Sequence, residues 1–92
     1  KMSEIREHKV KRLAMRSMRR GIKEMDLILS AYADARLGDM TDDDLALYDR
    51  MLNENDHDLY QWVTGQGAAP SPYAAMMADI QSLVAAQRVG QV

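Results

Sequence analysis

Two short runs, Asp42-Asp43-Asp44 and Asp56-His57-Asp58, carry the residue types that hold divalent cations. Consecutive positions on a helix point about 100° apart, so neither run converges on a single ion. Neither alternates its acids with the glycine that shapes a calcium loop. Both read instead as carboxylates in the first turn of a helix, where they complement the dipole. His8 and His57 lack a second ligand at metal spacing. Serine, histidine and carboxylates are all present, yet no serine sits in a nucleophile elbow or a phosphate-binding loop. The expectation is a chain with no catalytic site, no metal and no cofactor of its own.

A third constellation is harder to dismiss. In "MRSMRRGIKEMDLIL", residues 15–29, two arginines and a glycine separate two helix-like runs, and Glu24 follows three residues after Gly21. Glycine within a helical pattern costs about 1 kcal/mol relative to alanine. It also bares the backbone, so another group can approach closely. Lys9, Arg12, Arg16, Arg19 and Arg20 recur at steps of three and four just before it, forming one basic stripe. Such a stripe fits a solvated face, a surface for a protein partner or a track for a phosphate backbone. No aromatic residue is interleaved with the arginines, which weighs against nucleic acid.

These residues need elements to hold them, and the apolar spacing is helical five times. No alternating β-branched run and no Asn-Gly hairpin occurs. The first helix is expected from Ser3, its cap, to Arg19 or Arg20, with Val10, Leu13, Ala14, Ser17 and Met18 inward. The second covers about 22–37, buries Ile22, Met25, Leu29, Tyr32 and Ala33, and stops at Gly38. Glu24 then lies on its far side with Leu27, Ile28 and Ala31. Apolar residues on both sides of a helix imply that one side meets another molecule. Thr41 opens the third helix, whose Leu45, Tyr48, Met51 and Leu52 face in. The fourth runs from Asp56 to Thr64 with Leu59, Trp62 and Val63 in the core and Gly65 as its stop. Residues 66–71 are a linker, and a last helix spans 72–89 with Met76, Met77 and Ile80 inward. The fold class expected is all-α, a small antiparallel five-helix bundle forming one domain over 1–92.

Composition sets the outer limits. Of 92 residues, 47% are hydrophobic and 28% charged, as in a globular chain. Eight methionines and no phenylalanine imply an adaptable core or surface. The absence of cysteine excludes disulfides and thiolate chemistry and suits a cytoplasmic protein. No apolar run approaches the roughly 18–20 residues that span a bilayer. Lys1 precedes Met2, and Met2 is expected to be the natural start. The net charge of −2 conceals a division: residues 1–23 carry a balance of +7 and residues 24–92 a balance of −9. A basic arm beside an acidic body bears on partners rather than on fold.

The stretch "RRGIKEMDLIL" resembles the Arg-Gly-x-x-Glu signature of the FAD assembly factors for succinate dehydrogenase. These are the bacterial SdhE family and its mitochondrial counterparts, succinate dehydrogenase assembly factor 2, also called flavinators. "LYDRMLNENDHDLYQWVTG", residues 47–65, resembles the family's leucine-rich helix, acidic segment and Leu-x-x-Trp. The likeness covers about residues 6–65, and Lys23 departs from the apolar residue common at that place in the family. What the resemblance implies is a five-helix bundle, a chaperone without enzymatic activity. It would bind the flavoprotein subunit of succinate dehydrogenase, or of fumarate reductase, and promote that subunit's covalent flavinylation. FAD would be handled by the partner rather than bound here. Arg20, Gly21 and Glu24 would form the contact nearest the flavin, supported by Arg19 and Asp26, and the free protein would be a monomer outside the membrane. The alternatives are a small basic-helix nucleic-acid-binding protein and a general protein-interaction adaptor.

Overall fold

A computed structural model describes residues 4–90 of the chain. Five α-helices follow one another: α1 (Arg6–Arg16), α2 (Lys23–Arg36), α3 (Asp42–Met51), α4 (Asp56–Thr64) and α5 (Ala74–Gly90). Short 3₁₀ turns at Leu37–Asp39 and Ser71–Tyr73 lead out of α2 and into α5. No strand is present among the described residues. Helix α2 is central and packs against α1, α4 and α5, while α3 packs against α1. Its Met25, Leu29, Tyr32 and Ala33 are buried, as their spacing requires.

The inward faces of the other helices close around α2. Leu13, Leu45, Tyr48, Met51, Leu59 and Ile80 are fully buried with Met25 and Leu29. Five methionines lie in this core, where a flexible thioether fills irregular gaps. Met15 and Met18 are exposed. Trp62 is half-buried, its ring 6.1 Å from that of Tyr73.

Local chemistry explains several helix ends. Thr41 Oγ1 accepts from the Asp44 N–H at 3.1 Å, and Asn55 Oδ1 accepts from the His57 N–H at 2.7 Å. Gly65 ends α4 in a left-handed conformation, φ 81°. Gly38 does not act in that way, because α2 tightens into the 3₁₀ turn that contains it.

Helix α1 is shorter than its basic stripe implied, and Ser3, the expected cap, lies outside the described residues. The helix ends at Arg16, and Ser17, its C-cap, is wholly buried with its hydroxyl bonded to the Leu13 carbonyl (2.8 Å) and the Tyr48 hydroxyl (2.6 Å). Burial pushes the Tyr48 hydroxyl up to about 12, so it stays protonated and able to donate in this pair. Met18, expected on the inner stripe, falls beyond this break and faces out.

Three of the stripe's five residues, Arg12, Arg16 and Arg20, turn toward the domain. Arg12 pairs with Glu4 (2.9 Å) and Asp49 (3.0 Å), and Arg16 pairs with Asp49 and donates to Asn53 Oδ1 at 2.7 Å. Part of the basic arm's charge is thus met by the acidic body within one chain. The Arg12 hydrogen bond holds the Asp49 carboxyl below its ordinary value of 3.8, with burial opposing it. Glu4 is lowered likewise by Arg12.

A depressed carboxylate contributes stability that is present above its unfolded value and lost as pH falls through the folded one. The urea midpoint of the wild-type chain should therefore decline from about pH 5 downward. In Asp49→Asn that decline should be shallower, which chemical denaturation across pH 3–6 would measure.

Candidate functional site

The turn between α1 and α2, residues 17–22, holds the glycine and arginines singled out above. Arg19 has φ 55°, a left-handed conformation that non-glycine residues seldom adopt, and its side chain is exposed. That reversal carries the chain from the end of α1 toward the start of α2. Ile22, the residue before α2, is extended and supplies no side-chain cap.

Arg20 turns inward. Its Nε donates to Asp56 Oδ1 at 2.9 Å, Nη1 to the Arg16 carbonyl at 3.2 Å, and Nη2 to the Leu52 carbonyl at 3.2 Å. Nη2 also lies 2.8 Å from Asp56 Oδ1, and the two side chains are only 13% and 15% exposed. Arg20, expected at the partner contact, thus has its donors engaged by the domain itself.

Gly21 is exposed, but its bare backbone is used by the same carboxylate. Its N–H donates to Asp56 Oδ2 at 2.5 Å. A Cβ added at this position would sit 3.2 Å from that oxygen. Absence of a side chain therefore permits a close approach of Asp56, one residue from α4's cap, to the backbone leading into α2. Asp56 was read from the sequence as a first-turn charge. It is that, and it also grips two consecutive residues across a separation of about 35 positions. The sequence signal was the pairing of a four-residue arginine ladder with the acidic run after Leu52.

The remaining site residues divide between two surfaces. A shallow depression of about 370 Å³ is bounded by Arg20, Gly21, Asn55, Asp56 and His57. Glu24 is exposed and lines a neighbouring groove of about 390 Å³ with Ile28, Tyr60, Val63, Gln81 and Val84. Arg20 and Glu24 thus do not bracket one notch. Asp26 is half-buried and accepts from Ser30 Oγ at 3.2 Å. Leu27 is 62% exposed, whereas its neighbour Ile28 packs against the core. Met18, Arg19, Gly21, Lys23, Glu24 and Leu27 make up the outward side of this end of the molecule.

Among the described residues no group of three metal-ligating side chains converges, and no helix is long and apolar enough to cross a membrane.

The family whose profile matches residues 11–84 is described as flavinator of succinate dehydrogenase. Succinate dehydrogenase assembly factor 2 of Penicillium rubens is 53% identical over 53 residues, covering 58% of this chain and 17% of that protein. The like-named protein of Drosophila grimshawi is 42% identical over 75 residues, 79% of this chain and 49% of that one. That of Candida glabrata is 51% identical over 53 residues, 58% and 35% of the two. The chain spans at most about half the length of these curated relatives. All three are named mitochondrial, which overturns the expectation of a cytoplasmic protein. Lack of cysteine removes disulfides in any compartment, so it never discriminated between them.

The geometry separates neighbouring arginines. Arg20→Ala should lower stability by about 2–3 kcal/mol, since it leaves a half-buried carboxylate without its cation. Arg19→Ala should change it by no more than about 0.5 kcal/mol. Urea denaturation followed by far-UV circular dichroism distinguishes the two.

Proposed function

This chain belongs to the flavinator of succinate dehydrogenase family, and from that premise we propose that it binds the flavoprotein subunit of succinate dehydrogenase and promotes covalent attachment of FAD to it. The observation that carries this reading is the match over residues 11–84, which takes in both the Gly21 turn and the Asp56 helix. The corresponding subunit of fumarate reductase is a second client of the same chemistry.

A helper of this kind needs no catalytic group. Covalent attachment requires a side chain of the flavoprotein to meet the flavin ring in one alignment. A partner that binds the aligned conformation more tightly than the others raises its population. Held alignment then removes the search that would otherwise slow the reaction. The exposed Arg19, Gly21, Glu24 and half-buried Asp26 form the partner contact, with Arg20 beneath them as its anchor. FAD is handled by the flavoprotein, since this sequence has no Gly-x-Gly-x-x-Gly turn to cradle its pyrophosphate. The protein acts as an assembly factor rather than an enzyme, and as a monomer before it meets its client.

A nucleic-acid reading would need the arginine stripe free. Arg12, Arg16 and Arg20 are each paired with a carboxylate of the same chain.

Co-expression of the dehydrogenase flavoprotein subunit with and without this chain, followed by in-gel flavin fluorescence, tests the proposal. Covalent flavin should rise when the chain is present. Glu24→Ala, at an exposed position, should leave stability within about 0.5 kcal/mol and reduce that rise. Equal fluorescence with the chain omitted would remove the reading.

A further inference from the structure

The carboxylate of Asp56 does more than complete the first turn of α4. One oxygen receives the Arg20 guanidinium and the other receives the Gly21 N–H, so adjacent residues of the α1–α2 turn are fixed from a distant helix. We propose that Asp56 is a positioning residue for partner recognition: acting through Arg20 and Gly21, it holds the turn in one conformation before the flavoprotein arrives. The partner reads the outward side of the turn, and Asp56 stays behind it. This inference rests on the functional reading above.

Three observations converge on the role. Arg19 occupies a left-handed conformation that an unrestrained chain would rarely populate, and the next two residues are the ones Asp56 grips. Ile22 provides no side-chain cap, and the Gly21 N–H just before it is held by a carboxylate from another helix. Asp56 is 15% exposed and lies beside the depression at Gly21, which leaves it little surface to offer a partner directly. A turn ordered in advance does not incur the entropy of ordering when the complex forms, so its fixation contributes to affinity. Without the clamp the same exposed groups remain, spread over many conformations.

The test compares Asp56→Ala, Asp56→Asn and Thr41→Ala with the wild type. Thr41→Ala removes the cap of α3 and serves as the control for stability lost elsewhere. Gly21 amide exchange, measured by NMR on the free chains, should quicken at least tenfold in Asp56→Ala. Asp56→Asn, which keeps an acceptor for the N–H, should fall between it and the wild type. Kd for the purified flavoprotein subunit, measured where all four chains are folded, should rise at least tenfold in Asp56→Ala and stay unchanged in Thr41→Ala. Unchanged Gly21 exchange in Asp56→Ala overturns the proposal. Faster exchange with wild-type Kd, or an equal loss of affinity in Thr41→Ala, overturns it as well. If even the wild type fails to bind the subunit, the functional reading falls, and Gly21 exchange alone decides whether Asp56 fixes the turn.

Discussion

The Asp56 carboxylate holds the two halves of this small bundle in register. It sits at the start of α4, receives the cation that follows α1, and binds the backbone that leads into α2. Three helices are thereby referred to one group. A carboxylate beside helix starts is favoured by their dipoles, and a paired guanidinium reinforces the charged form. Removing the partner of a partly buried charge costs more than the contact is worth in isolation, because the group left behind stays desolvated. Arg20, Gly21 and Asp56 are therefore coupled through one carboxylate.

The same logic extends along the α1 face. Arg12, Arg16 and Arg20 are spaced by four, so they present a ladder, and Asp49, Asn53 and Asp56 receive it from α3 and the start of α4. Single exposed ion pairs contribute little. Here Arg12 and Arg16 share the Asp49 carboxylate, and Arg16 and Arg20 also donate to carbonyls near helix ends, which makes the ladder a set of caps as well as charges. The division between a basic N-terminal arm and an acidic body is thus partly an internal matter. What it leaves outward near Gly21 is Arg19 and Lys23, with Met18 and Leu27 as exposed apolar neighbours.

Periodicity revealed the helices because burial follows a 3.6-residue repeat that any core must obey. Met25, Leu29 and Tyr32 announce α2, and Thr41 and Gly65 mark where α3 begins and α4 ends. The early stop of α1 was hidden for a physical reason. Ser17, at the helix end, bonds Tyr48, thirty-one residues away, and no local pattern reports such a partner. The candidate site shows the same boundary. Its residue types and spacing were visible, and so was the likeness to a family. The direction in which Arg20 points was not, because a wheel places every stripe residue on a face without saying what covers that face. Cysteine usage was similarly silent about compartment.

An inward Arg20 bears on how the proposed helper would act. If the arginine reached the flavin, its charge would stabilise the reacting group directly, as fixed donors do in enzyme sites. With its donors on Asp56, Arg16 and Leu52, it instead sets the shape of the turn. On the proposed function, the contribution to a partner's chemistry would then come through complementarity to one conformation, with binding energy converted to alignment rather than to charge stabilisation. A 92-residue chain has few ways to make a rigid surface. Tying an unusual backbone turn to a distant carboxylate is one of them, and a glycine eases the approach where the carboxylate comes close.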